Sequence, residues 1–192
     1  MDCNTCFKGI LTIERSWLLL HVQLPAEPSS ARVALWRRLR GVGAIGIVNG
    51  AWALPYSQIH ADLFGKAASK VREQGGRAAI FTADPLDLNE TEALVAQSRA
   101  DRGREYDEFA ERADMLIAEI EKETKKRKFT FAELEEIEHD LEKLIEWLAK
   151  IEPRDFFPDR RIAQAKAHLA KCAAALKVFS EQVFVYEGVT QR

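Results

Sequence analysis

The dipeptide Asn49-Gly50 is the feature that most restricts how this chain can fold. It lies between two short apolar runs, residues 44–48 and 51–55. Asn-Gly is the strongest short hairpin signal, because both residues tolerate the positive φ angles of a tight turn. The two runs are therefore predicted to be adjacent antiparallel strands, the second of which ends at Pro55.

Helical and extended patterns flank this hairpin on both sides. The predicted elements around it are a strand at 17–24, a helix at 31–40, a helix at 57–74 capped by Ser57, and a strand at 77–83. The resulting order β-α-β-β-α-β is that of a ferredoxin-like module. In the first helix, Val33, Trp36 and Leu39 are expected to form the apolar face. The second helix is expected to turn these side chains inward: Ile59, Leu63, Phe64, Ala67 and Val71.

The composition changes after Asp84-Pro85, beyond which nearly all residues favour helix. One helix is predicted over about 90–124, with Asn89 and Glu92 as its capping box. A second helix is predicted after Thr130, where another capping box begins. A third helix follows at about 159–185. The sequence thus predicts an α+β protein, in which about three antiparallel helices follow the ferredoxin-like module. The expected divisions are a flexible N-terminal segment at 1–15, the module at 16–86, and the helical region with a short C-terminal tail at 87–192.

The bulk composition excludes several classes of protein. Of 192 residues, 47% are hydrophobic, which is enough for a packed core. Because the formal net charge is −2, any contact with nucleic acid must come from a local patch of positive charge. No apolar run is long enough to cross a bilayer and the N-terminus does not read as a secretory signal, so a cytoplasmic protein without membrane contact is expected. Cys3 and Cys6 form a C-x-x-C pair without a second pair, and Cys172 reads as a small buried hydrophobe. Neither a metal nor a cofactor is predicted.

Four arginines on the first helix are the candidate contacts for DNA or another anion: Arg32, Arg37, Arg38 and Arg40. Guanidinium groups bind phosphate and other oxyanions through paired hydrogen bonds. The alternative is a solvated helix face with local ion pairs. Arg37 and Arg38 are adjacent and hence about 100° apart around the helix, so they cannot both point at one ligand atom.

A second polar cluster includes Arg99, Asp101, Arg102 and Tyr106. Together with Arg104 and Glu105, these residues are expected to form a buried ion-pair network that docks the helices onto the sheet. An anion-binding pocket is the alternative interpretation of the same residues.

Catalysis is not expected from the motifs. The sequence has no nucleophile elbow, no P-loop and no G-x-G-x-x-G after a strand. Some dimeric ferredoxin-like proteins are nucleases that bind Mg²⁺ through an aspartate near the end of the first strand. The nearest carboxylate here is Glu27, on the following loop, so a nuclease is the less favoured alternative and a protein without enzymatic activity is predicted.

Residues 17–55 contain a pattern of aromatic, arginine, glycine and proline residues that is typical of one family. The pattern consists of Trp17, Leu24, Pro25, Ser30, Arg32, Trp36, Arg37, Leu39, Gly43, Gly50, Trp52, Leu54 and Pro55. With these residues, the segment resembles the opening of the ChrB chromate-resistance regulators. The resemblance extends towards residue 180 through Gly76, Asp101-Arg102 and Glu105-Tyr106. More remotely, the chain is similar to the PaaX repressors, whose central domain is also ferredoxin-like and dimeric.

The resemblance implies a regulator of transcription in chromate or heavy-metal response. A homodimer that binds promoter DNA through the first-helix arginines is the expected form. Complete ChrB proteins also carry a C-terminal chromate-sensing domain, which has no counterpart here, so a separate sensor protein is a second expected partner. The alternative is a dimeric interaction module that does not bind DNA.

Overall fold

A computed structural model of the chain describes residues 16–27 and 29–188. The Cys3 and Cys6 pair, the predicted flexible segment 1–15 and the last residues of the predicted tail lie outside them. The elements are β1 (Trp17–Gln23), α1 (Ser29–Gly41), β2 (Ile45–Val48), β3 (Ala51–Pro55), α2 (Gln58–Glu73), β4 (Arg77–Ala83), α3 (Leu88–Lys125), α4 (Phe131–Ile151), a short 3-10 helix (Glu152–Arg154) and α5 (Arg160–Tyr186). The predicted α+β class is confirmed.

The chain divides into two compact units within helix α3. The first unit, called here the sheet unit, extends to Gln97, and the helical unit begins at Ser98. The first turns of α3 therefore belong with the strands, some ten residues beyond the boundary that the composition change suggests. In the described residues, none of the helices combines the length and apolarity needed to span a bilayer.

The sheet unit contains four strands in the order β2-β3-β1-β4, and every neighbouring pair is antiparallel. Strand β1 occupies an interior position, where Leu20 lies opposite Trp52 on one side and Ile80 on the other. Its side chains Leu18, Leu20 and Val22 are all buried. The continuous apolar sequence of β1 agrees with this position, because a strand with neighbours on both sides is largely withdrawn from water.

The turn between β2 and β3 lies at Asn49-Gly50, as predicted. Gly50 has a φ of 80°, whereas Asn49 does not have a positive φ. The carbonyl of Gly50 accepts a hydrogen bond of 2.7 Å from the backbone N–H of Val22. A Cβ atom on Gly50 would overlap the carbonyl oxygen of Val22. Glycine is therefore required here both by backbone conformation and by close approach to β1.

The predicted apolar face of α1 is wrong. Val33 and Trp36 are 45% and 54% exposed, and Leu39 is the buried residue of this helix. Leu35, one turn before Leu39, is half-buried and takes the place beside it. Leu35 and Leu39, which are four residues apart, thus face the core. Val33 and Trp36, which are three residues apart, face water.

Helix α2 follows the prediction except at its first turn. Phe64, Ala67 and Val71 are buried, but Ile59 is 77% exposed. Ile59 lies next to the cap, and the buried row of this helix begins at Phe64. The expectation that Ile59 turns inward is therefore wrong.

The helix caps predicted at Ser57 and Thr130 are confirmed. The hydroxyl of Ser57 accepts the N–H of His60 at 3.1 Å, and the hydroxyl of Thr130 accepts the N–H of Glu133 at 3.3 Å. The capping box predicted at Asn89 is wrong, because α3 begins at Leu88 and the Asp87 carboxylate accepts the N–H of Glu90. Asp87 provides a suitable acceptor two residues earlier.

The helical unit has its own apolar core, to which α3, α4 and α5 contribute Phe109, Leu144 and Phe179 respectively. Cys172 is fully buried as predicted, and its thiol lies 3.4 Å from the Ala113 carbonyl oxygen. Burial raises the pKa of this thiol. Cys172 is therefore held in the neutral form that a core position requires.

Replacement of Gly50 by alanine tests the turn. We expect Gly50→Ala to lower the free energy of unfolding by about 1–3 kcal/mol, because it forces a β-carbon into the left-handed region and against Val22. Chemical denaturation monitored by circular dichroism measures this change.

Gly65→Ala is the matched control for this substitution. Gly65 lies within α2, and a Cβ atom there meets nothing within 4 Å. The control is expected to stabilise the protein by up to about 1 kcal/mol, because alanine is the better helix former. Equal stability of the Gly50→Ala variant and the parent chain would contradict the assigned role of Gly50.

Candidate functional site

Helix α1 carries four arginines and no acidic residue, and the structure gives the four side chains different environments. Arg32 donates hydrogen bonds to the carbonyl oxygens of Pro25 and Ala26 in the preceding loop. Arg40 is half-buried, with its guanidinium carbon 5.9 Å from the centroid of a Trp36 ring. This distance places the cation over the aromatic face. Arg32 and Arg40 therefore already have partners within the sheet unit.

Arg37 and Arg38 are both exposed. Among the residues that the structure describes, neither side chain has a hydrogen bond or an ion pair. Because the helix separates them by about 100°, they present two guanidinium groups over a broad surface. Of the four predicted anion-binding residues, these two are available to an external phosphate.

A groove of about 340 Å³ runs beside the first half of α1. Its walls include the indole rings of Trp36 and Trp52, and Arg32 lies at the same groove. Flat aromatic surfaces next to cations are common where proteins contact nucleic acids or protein partners. The apolar spacing in α1 predicts a buried Trp36, and no pattern in the sequence indicates this groove.

The second predicted cluster forms an ion-pair network in the helical unit. Arg102 is only 5% exposed, and its guanidinium lies 2.8 Å from a carboxylate oxygen of Glu105. Arg154 contacts the same carboxylate through two nitrogens, at 2.8 and 3.3 Å. The hydroxyl of Tyr106 donates to Asp155 at 2.9 Å. These contacts join α3 to the turn that follows α4.

Arg99 and Asp101 lie at the margin of this network. The Nε of Arg99 donates to the carbonyl oxygen of Phe157 at 3.2 Å, and Asp101 accepts from Arg104 one turn later. All of these partners belong to the helical unit. These contacts connect elements of the helical unit with one another.

The sequence patterns did not predict that residues at the start of α5 take part in this network. Arg161 donates to the carboxylate of Asp159 and to the carbonyl oxygen of Arg99, and a Cβ atom on Gly103 would overlap its guanidinium. Gly103 thus leaves the space on α3 that Arg161 occupies. A glycine within a long helix was the available signal, since it is unfavourable there without a packing reason.

The pKa values follow from these contacts. Burial, followed by the hydrogen bond to Asp155, raises the pKa of Tyr106, so its hydroxyl remains a donor. The hydrogen bond from Arg161 lowers the pKa of Asp159 below the ordinary value of 3.8. Asp159 also accepts the N–H of Arg161 at 2.8 Å and caps α5. Asp159 is therefore charged and paired with Arg161 at neutral pH, as expected of a structural element.

Groups of three or more histidine, cysteine, aspartate or glutamate side chains arranged to hold a metal ion are not found in the described part of the chain. Glu27, the carboxylate nearest to the end of β1, is exposed on the loop before α1. This finding concerns residues 16–27 and 29–188.

Comparison with known proteins places these features in a family. The family model described as "Protein ChrB, N-terminal" matches residues 32–190. This chain belongs to the ChrB N-terminal family. Protein ChrB of Cupriavidus metallidurans (strain CH34) is 28% identical over 168 residues, which cover 86% of this chain and 48% of that protein. The chain thus spans about half the length of this curated relative.

The ChrB match includes both arginine clusters. Arg37 and Arg38 lie near its start, and the network around Glu105 lies within it. The resemblance to this family that the sequence suggested is confirmed. Both the exposed arginines of α1 and the paired arginines of the helical unit therefore lie in the part of the chain that the family model matches.

The Glu105 network can be tested by removing its shared carboxylate. We expect Glu105→Ala to lower the free energy of unfolding by about 2–3 kcal/mol, because Arg102 and Arg154 both lose a partner in a largely buried position. Urea denaturation measures this loss. Lys150→Ala, which removes an exposed ion pair to Glu146, is the control and is expected to change stability by less than about 0.5 kcal/mol. Equal effects of the two substitutions would contradict the structural role of Glu105.

The lowered pKa of Asp159 predicts a dependence on acid. The carboxylate stabilises the fold fully above its ordinary pKa, and this contribution is lost as the pH falls through the lowered folded-state value. Asparagine keeps a helix-capping oxygen but has no charge. We expect Asp159→Asn to be less stable by about 1 kcal/mol at pH ~7 and to converge with the parent chain once the pH lies below the lowered folded-state pKa. Denaturation at a series of pH values checks this, and a constant difference would exclude the ion pair as its cause.

Proposed function

We propose that this chain is a regulatory or accessory protein of chromate or heavy-metal response, and that it acts by binding instead of by catalysis. Membership in the ChrB N-terminal family supports this proposal. The relative in C. metallidurans carries the name Protein ChrB, and the sequence resembles the chromate-resistance regulators of that family. The surface to which we assign the binding is helix α1.

Duplex DNA is the first candidate partner. The observation that carries it is the pair of exposed guanidinium groups of Arg37 and Arg38, on a helix without any carboxylate. Arginine contacts to phosphate position a protein on DNA and contribute a large, salt-dependent part of the affinity. A net charge of −2 does not oppose such binding when the positive charges are concentrated on one helix.

Protein binding without DNA contact is the second candidate, and a separate observation favours it. Val33 and Trp36 are large apolar side chains that α1 leaves in water. Tryptophan and arginine are the residue types most enriched at energetically important positions of protein interfaces. A second copy of this chain and a separate sensor protein are the partners that fit this candidate.

Fluorescence anisotropy with labelled DNA distinguishes the two candidates. We expect the parent chain to bind promoter and nonspecific duplexes with an affinity that falls steeply as salt rises. Combined substitution of Arg37→Ala and Arg38→Ala is expected to weaken binding at least roughly tenfold and to reduce the logarithmic salt slope by about 2, because two phosphate contacts are lost.

A charge-matched variant provides the control for the DNA experiment. Lys171→Ala with Lys177→Ala also removes two exposed cations, from helix α5 in the helical unit. Its affinity is expected to equal that of the parent chain. Equal weakening by both pairs would show a nonspecific charge effect, and unchanged binding after the arginine substitutions would eliminate α1 as the contact. Absence of binding by the parent chain would favour the protein-binding candidate.

A further inference from the structure

We propose that the groove between α3 and α4 binds helix α1 of a second copy of this chain. The groove has a volume of about 730 Å³ and belongs wholly to the helical unit. Its apolar floor contains Met115, Leu116, Leu144 and Trp147. Met115 is 62% exposed and Trp147 is half-buried, so apolar surface remains open between the two helices. A groove of this kind suits an amphipathic helix.

The rim of the groove is predominantly acidic. Four carboxylates line it, against the two cations Arg112 and Lys143. Lys143 is already paired with Asp140 at 2.8 Å, whereas in the described residues the carboxylates of Glu108 and Glu136 have no hydrogen bond or ion pair. An occupant with an apolar ridge beside a cation would therefore be attracted to this surface.

Helix α1 has this combination of residues. Val33, Trp36 and Arg37 are spaced by three and four residues and lie along one side of the helix. All three side chains are exposed. An apolar ridge of Val33 and Trp36 thus lies beside the guanidinium group of Arg37, on a helix with four positive and no negative side chains.

Charge and polarity together fit helix α1 of a second copy as the occupant. Each chain carries one basic helix with an exposed apolar ridge and one acidic groove with an apolar floor. In the proposed dimer the two copies exchange these elements and make the same contact twice, as twofold symmetry requires. The proposal does not depend on DNA binding, since both surfaces belong to the protein alone.

The assembly and the DNA complex would compete for α1. Arg37 lies on the side of the helix that enters the groove, while Arg38 lies about 100° away from it. A chain whose α1 is held by its partner therefore presents fewer free guanidinium groups to phosphate. Self-association would then oppose DNA binding, so that protein concentration itself regulates access to α1; this consequence, unlike the assembly, rests on the proposed DNA binding.

Reversed charges test this assignment in the absence of DNA. We expect the parent chain to self-associate in sedimentation equilibrium, and Arg37→Glu alone or Glu136→Arg alone to weaken association at least about tenfold through like-charge contacts. Mixing the two single variants should restore association, because both contacts of the mixed dimer then join opposite charges. Trp36→Ala should also weaken association at least about tenfold.

Lys177→Glu is the control, because it makes the same charge change on the exposed face of α5. Its association is expected to match that of the parent chain, and circular dichroism establishes that every variant is folded. A parent chain that stays monomeric at millimolar concentration, or single variants that are not restored by mixing, would overturn the proposal. Since no DNA is present, these outcomes are independent of the anisotropy result.

Discussion

The hydrogen bonding of β1 on both of its sides is the constraint on which the sheet unit depends. Seven residues of β1 align with β4, and five of them also align with β3. The Gly50 turn brings the hairpin against this strand through the bond from Val22. A displacement of β1 by one residue would expose the row of Leu18, Leu20 and Val22 and bury the opposite row instead. The burial of these three side chains therefore fixes the register of β1 in the sheet.

The arginines show how the same side chain serves different purposes in the two units. In α3, Arg102 has Glu105 one turn later, and the turn after α4 brings Arg154 to the same carboxylate. In α1 there is no carboxylate to pair with, so Arg37 and Arg38 extend into water. Buried guanidinium groups require paired charges, whereas exposed groups retain their capacity for external anions. This difference separates a structural network from a candidate binding surface.

The position of α1 connects these observations with function. Because Leu39 is its buried anchor, the helix leaves both apolar and basic side chains accessible. These are the chemical properties through which we propose binding of DNA and of a second copy. The helical unit supplies a complementary acidic groove, although its core is packed independently around Phe109, Cys172 and Phe179. The proposed regulation therefore depends on whether α1 contacts DNA or the groove of a second copy.

Local patterns in the sequence determined the order of elements, the Asn49-Gly50 turn, the caps at Ser57 and Thr130, and the ChrB family. Each depends on neighbouring residues, whose conformational preferences and hydrogen bonds are encoded within a few positions. The direction in which α1 faces was decided by tertiary structure, because its apolar residues permit two faces and only packing selects Leu39 with Leu35. Tertiary structure likewise decided that Glu105 and Arg154, 49 residues apart, share one ion pair. Contacts of such long range depend on how the helices pack, which no local pattern specifies.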